Sequence, residues 1–180
     1  MATITVRNTS EVIEGEENVL QFLQDQGVLY EKWDTSKLPA ELQNETHIGD
    51  EGKEQVLTVF DAEIRSLAER RGYHNWDVIA LNENTPDLDA LLKKFEQVHT
   101  HTEDEVRAIT AGSGIFIIKS EEKGYFDVNL APGDVISVPV NVPHFFTLTD
   151  ERQVVAVRLF IEKEGWVAHP FHDPAFEDAK

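Results

Sequence analysis

The stretch Val98-His99-Thr100-His101-Thr102-Glu103-Asp104-Glu105-Val106-Arg107 decides how this chain is read. It sets two imidazoles two residues apart. On an extended strand residues i and i+2 face the same side, so His99 and His101 point one way. Glu105 follows at a further even offset and shares that face if the backbone stays extended. His144 is distant in sequence but directly follows Pro139-Val140-Asn141-Val142-Pro143, a rigid turn able to aim it back. An isolated His-x-His also suits a solvent-facing strand. The four residues together are more specific, and we read His99, His101, Glu105 and His144 as the ligands of one metal. Three imidazoles and one carboxylate suit Fe(II), Ni(II), Mn(II) or Co(II). Structural zinc favours a closed tetrahedral cage, commonly with cysteine, and this chain has none. On an octahedral metal, four protein donors leave two positions for water or a bidentate substrate.

Working outward, the sequence after Gln97 changes character. Short β-rich segments alternate with turn signals: Val98–Thr102, Val106–Thr110, Ile115–Lys119, Tyr125–Leu130, Val135–Val138, His144–Leu148 and Val154–Ile161. Gly112-Ser113-Gly114, Glu122-Lys123-Gly124 and Pro132-Gly133-Asp134 separate several of them, the pattern of an antiparallel sandwich or small barrel. The first half is more helical. Val19-Leu20-x-Phe22-Leu23 has helical spacing and stops at Gly27, and Val28 to Trp33 reads as a strand. Val56, Leu57, Phe60, Ile64 and Leu67 recur at three and four residues, predicting one helix over 54–71 with Gly72 as its C-terminal cap. Asp77 to Leu81 reads as a strand. Thr85-Pro86 reads as the start of a short helix, Thr85 capping and Pro86 at the first helical position, that runs to about Phe95. The expected class is α+β, mainly β, as one domain over 1–180. It divides into a mixed N-terminal part (1–95), a metal-binding β core (96–165) and a C-terminal tail (166–180).

Parity extends the site. Arg107 lies two residues beyond Glu105, so its guanidinium is expected beside the metal, where a buried cation needs an anionic partner. It is a candidate to clamp an enolate or carboxylate, and a salt bridge to a neighbouring acid is the competing reading. Arg158 interrupts the apolar run Val154-Val155-Ala156-Val157 and Leu159-Phe160 and raises the same question. Phe95, Phe146 and Trp166 are candidates to wall an apolar pocket, although core packing explains each equally well. His47, His74, His169 and His172 lack ligand partners nearby in sequence and read as surface or structural residues.

Composition narrows the function classes. Thirty-four acidic against 16 basic residues give a formal charge of −18, which repels nucleic acid phosphates and anionic membranes. The absence of cysteine removes disulfides, thiolate sites and a cysteine nucleophile. Met1-Ala2-Thr3-Ile4-Thr5 lacks the basic start of a signal peptide, and no apolar stretch approaches the roughly 20 residues of a membrane span. A cytoplasmic protein is expected.

The full spacing, His-x-His-x3-Glu-x6-Gly ending at Gly112 and Gly133-x5-Pro-x-Asn-x2-His ending at His144, resembles the two-part cupin signature. Three positions depart from it. Lys93 and Asn141 stand where that pattern has glycine, and Leu148 where it has asparagine. The resemblance implies a cupin-type antiparallel barrel, or jelly roll, with the N-terminal helices packed against it. Phe95 through Arg107 and Pro139 through Phe146, with Arg158-Leu159-Phe160 and Gly165-Trp166-Val167, are similar to the acireductone dioxygenase family. That resemblance implies cleavage of 1,2-dihydroxy-3-keto-5-methylthiopentene with O2, a step of methionine salvage. Fe(II) would give 2-keto-4-methylthiobutyrate and formate; Ni(II) would give 3-methylthiopropionate, formate and carbon monoxide. It implies one metal per monomer, an enediolate chelating through two oxygens, and Arg107 stabilising its charge. It also implies a monomeric protein. Another cupin dioxygenase or isomerase acting on a different chelating substrate is the alternative. A sugar-phosphate isomerase should cluster several basic residues, and only Arg107 and Arg158 are suitably placed. A binding module with a vestigial metal site is a further class, which retention of all four ligands opposes.

Overall fold

A computed structural model describes residues 2–161 and 169–171. In chain order these are β1 (Thr3–Val6), β2 (Glu11–Ile13), α1 (Glu16–Asp25), β3 (Leu29–Lys32), α2 (Asp50–Val59), α3 (Asp61–Arg71), β4 (Asn75–Leu81) and α4 (Leu88–Phe95), then β5 (His99–Thr100), β6 (Glu105–Gly112), β7 (Gly114–Ser120), β8 (Gly124–Leu130), β9 (Asp134–Val138), β10 (His144–Thr147), β11 (Val154–Phe160) and β12 (His169–Pro170).

The strands form two antiparallel sheets, ordered β12-β5-β10-β7-β8-β1-β2 and β3-β9-β6-β11-β4. The expected jelly-roll architecture is present as two facing sheets, not as one closed hydrogen-bonded cylinder. Alternation along β11 explains the layering. Val154 and Ala156 join the core between the sheets, while Val155, Val157 and Leu159 join a second core on the other face. Val56, Phe60, Ile64 and Leu67 of the α2–α3 region fill that second core. Each such side chain contributes roughly 1.5–3 kcal/mol when fully withdrawn from water. Helices α2 and α3 thus cover the outer face of the five-stranded sheet, freeing its inner face to carry the site, while α1 and α4 pack against the core between the sheets.

Three expectations change. The helix over 54–71 is two helices that meet at Phe60, whose φ of −99° and ψ of 16° interrupt the regular geometry. Phe60 is fully buried and stacks on Trp33 at 5.2 Å, so tertiary packing fixes the residue at the junction. Thr85-Pro86 does not start a helix. Thr85 Oγ1 instead accepts from the Asn82 amide, closing a turn, and α4 begins at Leu88 after Asp87 at φ 54°. Strands β1 and β2 were not foreseen. They are short, and β2 has no fully buried residue to reveal a pattern.

Candidate metal centre

The four expected ligands converge. His99, His101, Glu105 and His144 are buried, and one donor atom from each lies within 4.8 Å of the others; among the described residues this is the one such group that could hold a metal. Their positions come from both sheets. His99 and His144 are direct antiparallel partners on β5 and β10, whereas Glu105 opens β6 of the other sheet. The extended backbone does not run unbroken from His99 to Glu105, because a bend over Thr102 and Glu103 lies between β5 and β6. That bend carries the chain from one sheet to the other, so Glu105 meets the imidazoles from across the gap.

Surrounding bonds orient each ligand. Nδ1 of His99 lies 2.6 Å from the Gln97 carbonyl oxygen, and Nδ1 of His144 lies 2.8 Å from that of Val142. A carbonyl only accepts, so both rings carry a proton on Nδ1 and turn Nε2 inward, the tautomer a metal ligand requires. The turn before His144 is tied to the other ligand segment, since the Asn141 amide donates to the His101 carbonyl at 3.0 Å. Asn141 has φ 61°, which explains why this position accepts glycine or asparagine.

The inward atoms crowd together. Glu105 Oε2 lies 2.9 Å from Nε2 of His101 and 2.6 Å from Nε2 of His144. With His144 protonated on Nδ1, its Nε2 lone pair faces a carboxylate oxygen. Two acceptors tolerate that approach only with a proton or a cation between them, so the donor set fits a divalent metal. Burial alone would raise the Glu105 pKa. The Arg107 charge overcomes it, joined in the metal-free protein by His144 and His101 when a proton on Nε2 points at the carboxylate, and together they hold the carboxyl well below its ordinary range. Burial, then the nearby His144 charge, pushes His99 down to about 4, so it is neutral and ready to ligate near neutral pH.

Arg107 lies where parity places it, 3% exposed, with Nε donating to Glu105 Oε1 at 2.9 Å. Its guanidinium sits 4.8 Å from the ring centre of Phe146 and 5.8 Å from those of Phe95 and Phe116. The salt bridge and the placement beside the metal donors are therefore both present. Arg158 shares that sheet face, as the direct partner of Arg107, and binds Asp77 through Nε at 2.8 Å and Nη2 at 2.6 Å. Phe95 and Phe146 meet edge to face at 6.4 Å, forming one wall. Trp166 and His172 lie outside the described residues.

Phe116 was missed. Its ring is fully buried, 5.0 Å from Phe146 and 6.2 Å from the His144 ring. The run Ile115–Lys119 is apolar on both faces until Lys119, so alternation gave no sign of which face lines the site. The other histidines behave as expected: His47 is exposed between Glu45 and Glu83, and His74 and His169 are exposed.

Known proteins resemble this chain along almost its whole length. The acireductone dioxygenase of Geobacillus thermodenitrificans is 63% identical over 174 residues, covering 96% of this chain and 97% of its own length. That of Bacillus cytotoxicus is 54% identical over 167 residues. The structure of acireductone dioxygenase from Bacillus anthracis, with a cadmium ion in its active centre, superposes with a TM-score of 0.91 at 51% identity, over 93% of this chain and 97% of that one. A family model, ARD/ARD', matches residues 3–168, spanning every strand except β12 and all four candidate ligands, and the chain belongs to that family.

Proposed function

We propose that this chain is an acireductone dioxygenase that cleaves 1,2-dihydroxy-3-keto-5-methylthiopentene with O2 in methionine salvage. The observation that carries the reading is the convergence of three imidazoles on Glu105 with the Arg107 guanidinium directly behind it. His99, His101, Glu105 and His144 are the metal ligands, holding one Fe(II) or Ni(II) per chain. When bound, that metal supplies Lewis acidity and a template for a chelating enediolate and O2. The products would be 2-keto-4-methylthiobutyrate and formate from Fe(II)-loaded protein, and 3-methylthiopropionate, formate and carbon monoxide from Ni(II)-loaded protein.

The protein's own residues do the rest. The Gln97 and Val142 carbonyls fix the His99 and His144 tautomers. Arg107 places a fixed positive charge beside the bound enediolate, where burial makes it count for more than in water. Phe95 and Phe146 exclude bulk water on the side facing Arg107 and receive the methylthio end of the substrate. Arg158, further along the same row, meets the substrate's negative charge at the rim. The entire chain, 1–180, acts as one domain and one active unit.

No helix among the described residues is long and apolar enough to cross a membrane. The formal charge of −18 favours small-molecule partners over nucleic acid, and we place the chain in the cytoplasm as a monomer on the strength of the family resemblance alone. The test loads metal-free protein with Fe(II) or Ni(II), follows O2-dependent loss of acireductone and identifies the products. Metal-loaded protein that leaves acireductone intact yet consumes another enediol would establish the alternative cupin reaction.

A further inference from the structure

One row of paired residues crosses the five-stranded sheet on its inner face. Asp77 on β4 pairs with Arg158 on β11, which pairs with Arg107 on β6. Direct antiparallel partners project to the same side, so two guanidiniums stand next to each other. Like charges in that position repel, and each cation is held by a separate carboxylate: Arg107 by Glu105, two residues back on β6, and Arg158 by Asp77 at the edge of the row. Glu105 takes Arg107 at 2.9 Å. Asp77 takes Arg158 with both carboxylate oxygens, at 2.8 and 2.6 Å.

From Glu105 through the row, the charged side chains run from the interior to solvent. Side-chain exposure rises from 3% at Glu105 and 4% at Arg107 to 28% at Arg158 and 40% at Asp77. Of the apolar residues above it on the same strands, Ile109 and Ala156 belong to the core and Ile79 packs against it. The switch from apolar to charged side chains therefore marks where the space between the sheets opens toward water. β4 is the edge strand of its sheet, so Asp77 stands at that opening.

We propose that Asp77 is a positioning residue for the dioxygenase reaction: acting through Arg158, it holds that guanidinium at the rim so that an anionic substrate meets it already ordered. This rests on the activity proposed above. A long arginine side chain loses rotamer freedom when it grips a ligand, and a partner that has already ordered it spares binding that loss. Both Asp77 bonds use the planar fork, which fixes the orientation of the guanidinium as well as its location.

The test uses the metal-loaded full chain. Asp77→Ala should raise KM for acireductone by about two- to tenfold, the range set by ordering one such side chain. It should leave kcat within about twofold and bound metal unchanged. Asp77→Glu should restore KM most of the way. In an Arg158→Gln background, Asp77→Ala should have no further effect on KM. Calorimetric titration with the 2-keto acid product should show the same weakening without turnover. If Asp77→Ala lowers stability, Asp77→Asn keeps the shape, loses the charge and should move KM in the same direction. A normal KM with a lowered melting temperature would make the pair merely structural and overturn the proposal. So would a KM rise that persists without Arg158. Wild-type protein that never consumes acireductone would instead sink the dioxygenase reading itself, a result separable from either.

Discussion

Replacing Arg107 with methionine removes the guanidinium and keeps an unbranched apolar stem among the rings of Phe95, Phe116 and Phe146. In metal-free protein the change leaves Glu105, 3% exposed, without the guanidinium bonded to its Oε1. Breaking a buried pair in this way costs about 3–5 kcal/mol. With metal bound, the carboxylate keeps a stronger positive neighbour, and the loss should shrink to about 1–2 kcal/mol, the contribution of the ring contacts. Urea unfolding of both forms measures the difference. The catalytic effect is separate. If the guanidinium stabilises charge that grows on the enediolate, kcat should fall about 10²- to 10³-fold with metal content intact. Turnover within threefold of wild type would refute the role given to Arg107. A destabilisation of equal size with and without metal would refute Glu105 as a ligand.

Further outcomes follow from the same geometry. His99 is held at about 4 in the fold against the usual 6.5 unfolded, so the unfolded chain takes up the proton first. Its contribution is fully present above pH 6.5 and is lost as pH falls toward 4. Metal-free protein should lose up to about 3 kcal/mol across that window, and His99→Asn should flatten the slope in denaturant titrations at stepped pH. Gly112 sits at φ 71°, and an added Cβ would strike the Gln153 carbonyl oxygen, a backbone atom. Gly112→Ala should therefore cost about 2–3 kcal/mol in chemical denaturation, and a change under 1 kcal/mol would show that the turn relaxes easily. Phe116→Ala should cost about 3–5 kcal/mol in stability and also reduce kcat/KM, because it opens space beside Arg107 and His144. Lost stability with normal kcat/KM would confine Phe116 to the core.

The ligands were legible because metal chemistry restricts them to few residue types, and strand parity gave the spacing meaning. His99, His101 and Arg107 came from offsets of two, and His144 came from the proline-bounded turn before it. The outer helices were legible as amphipathic patterns, since Val56, Phe60, Ile64 and Leu67 are all buried in one layer. The break at Phe60 was not, because the spacing continues through it and only stacking on Trp33 distinguishes the residue. The Thr85-Pro86 signal failed for a related reason: the Thr85 hydroxyl has a competing partner in the Asn82 amide, which no local rule anticipates.

By itself, then, the sequence determined the kinds of donor, their shared face within each short segment and the jelly-roll class. Tertiary structure alone decided that Glu105 comes from one sheet while His99 and His144 come from the other. It also decided that Phe116 joins Phe95 and Phe146 around Arg107, and that Asp77 holds Arg158 at the rim. The physical reason is that parity propagates only along one continuous strand. The bend at Thr102 and Glu103 ends that continuity, and which residues face each other across two sheets depends on register and packing fixed by the chain as a whole.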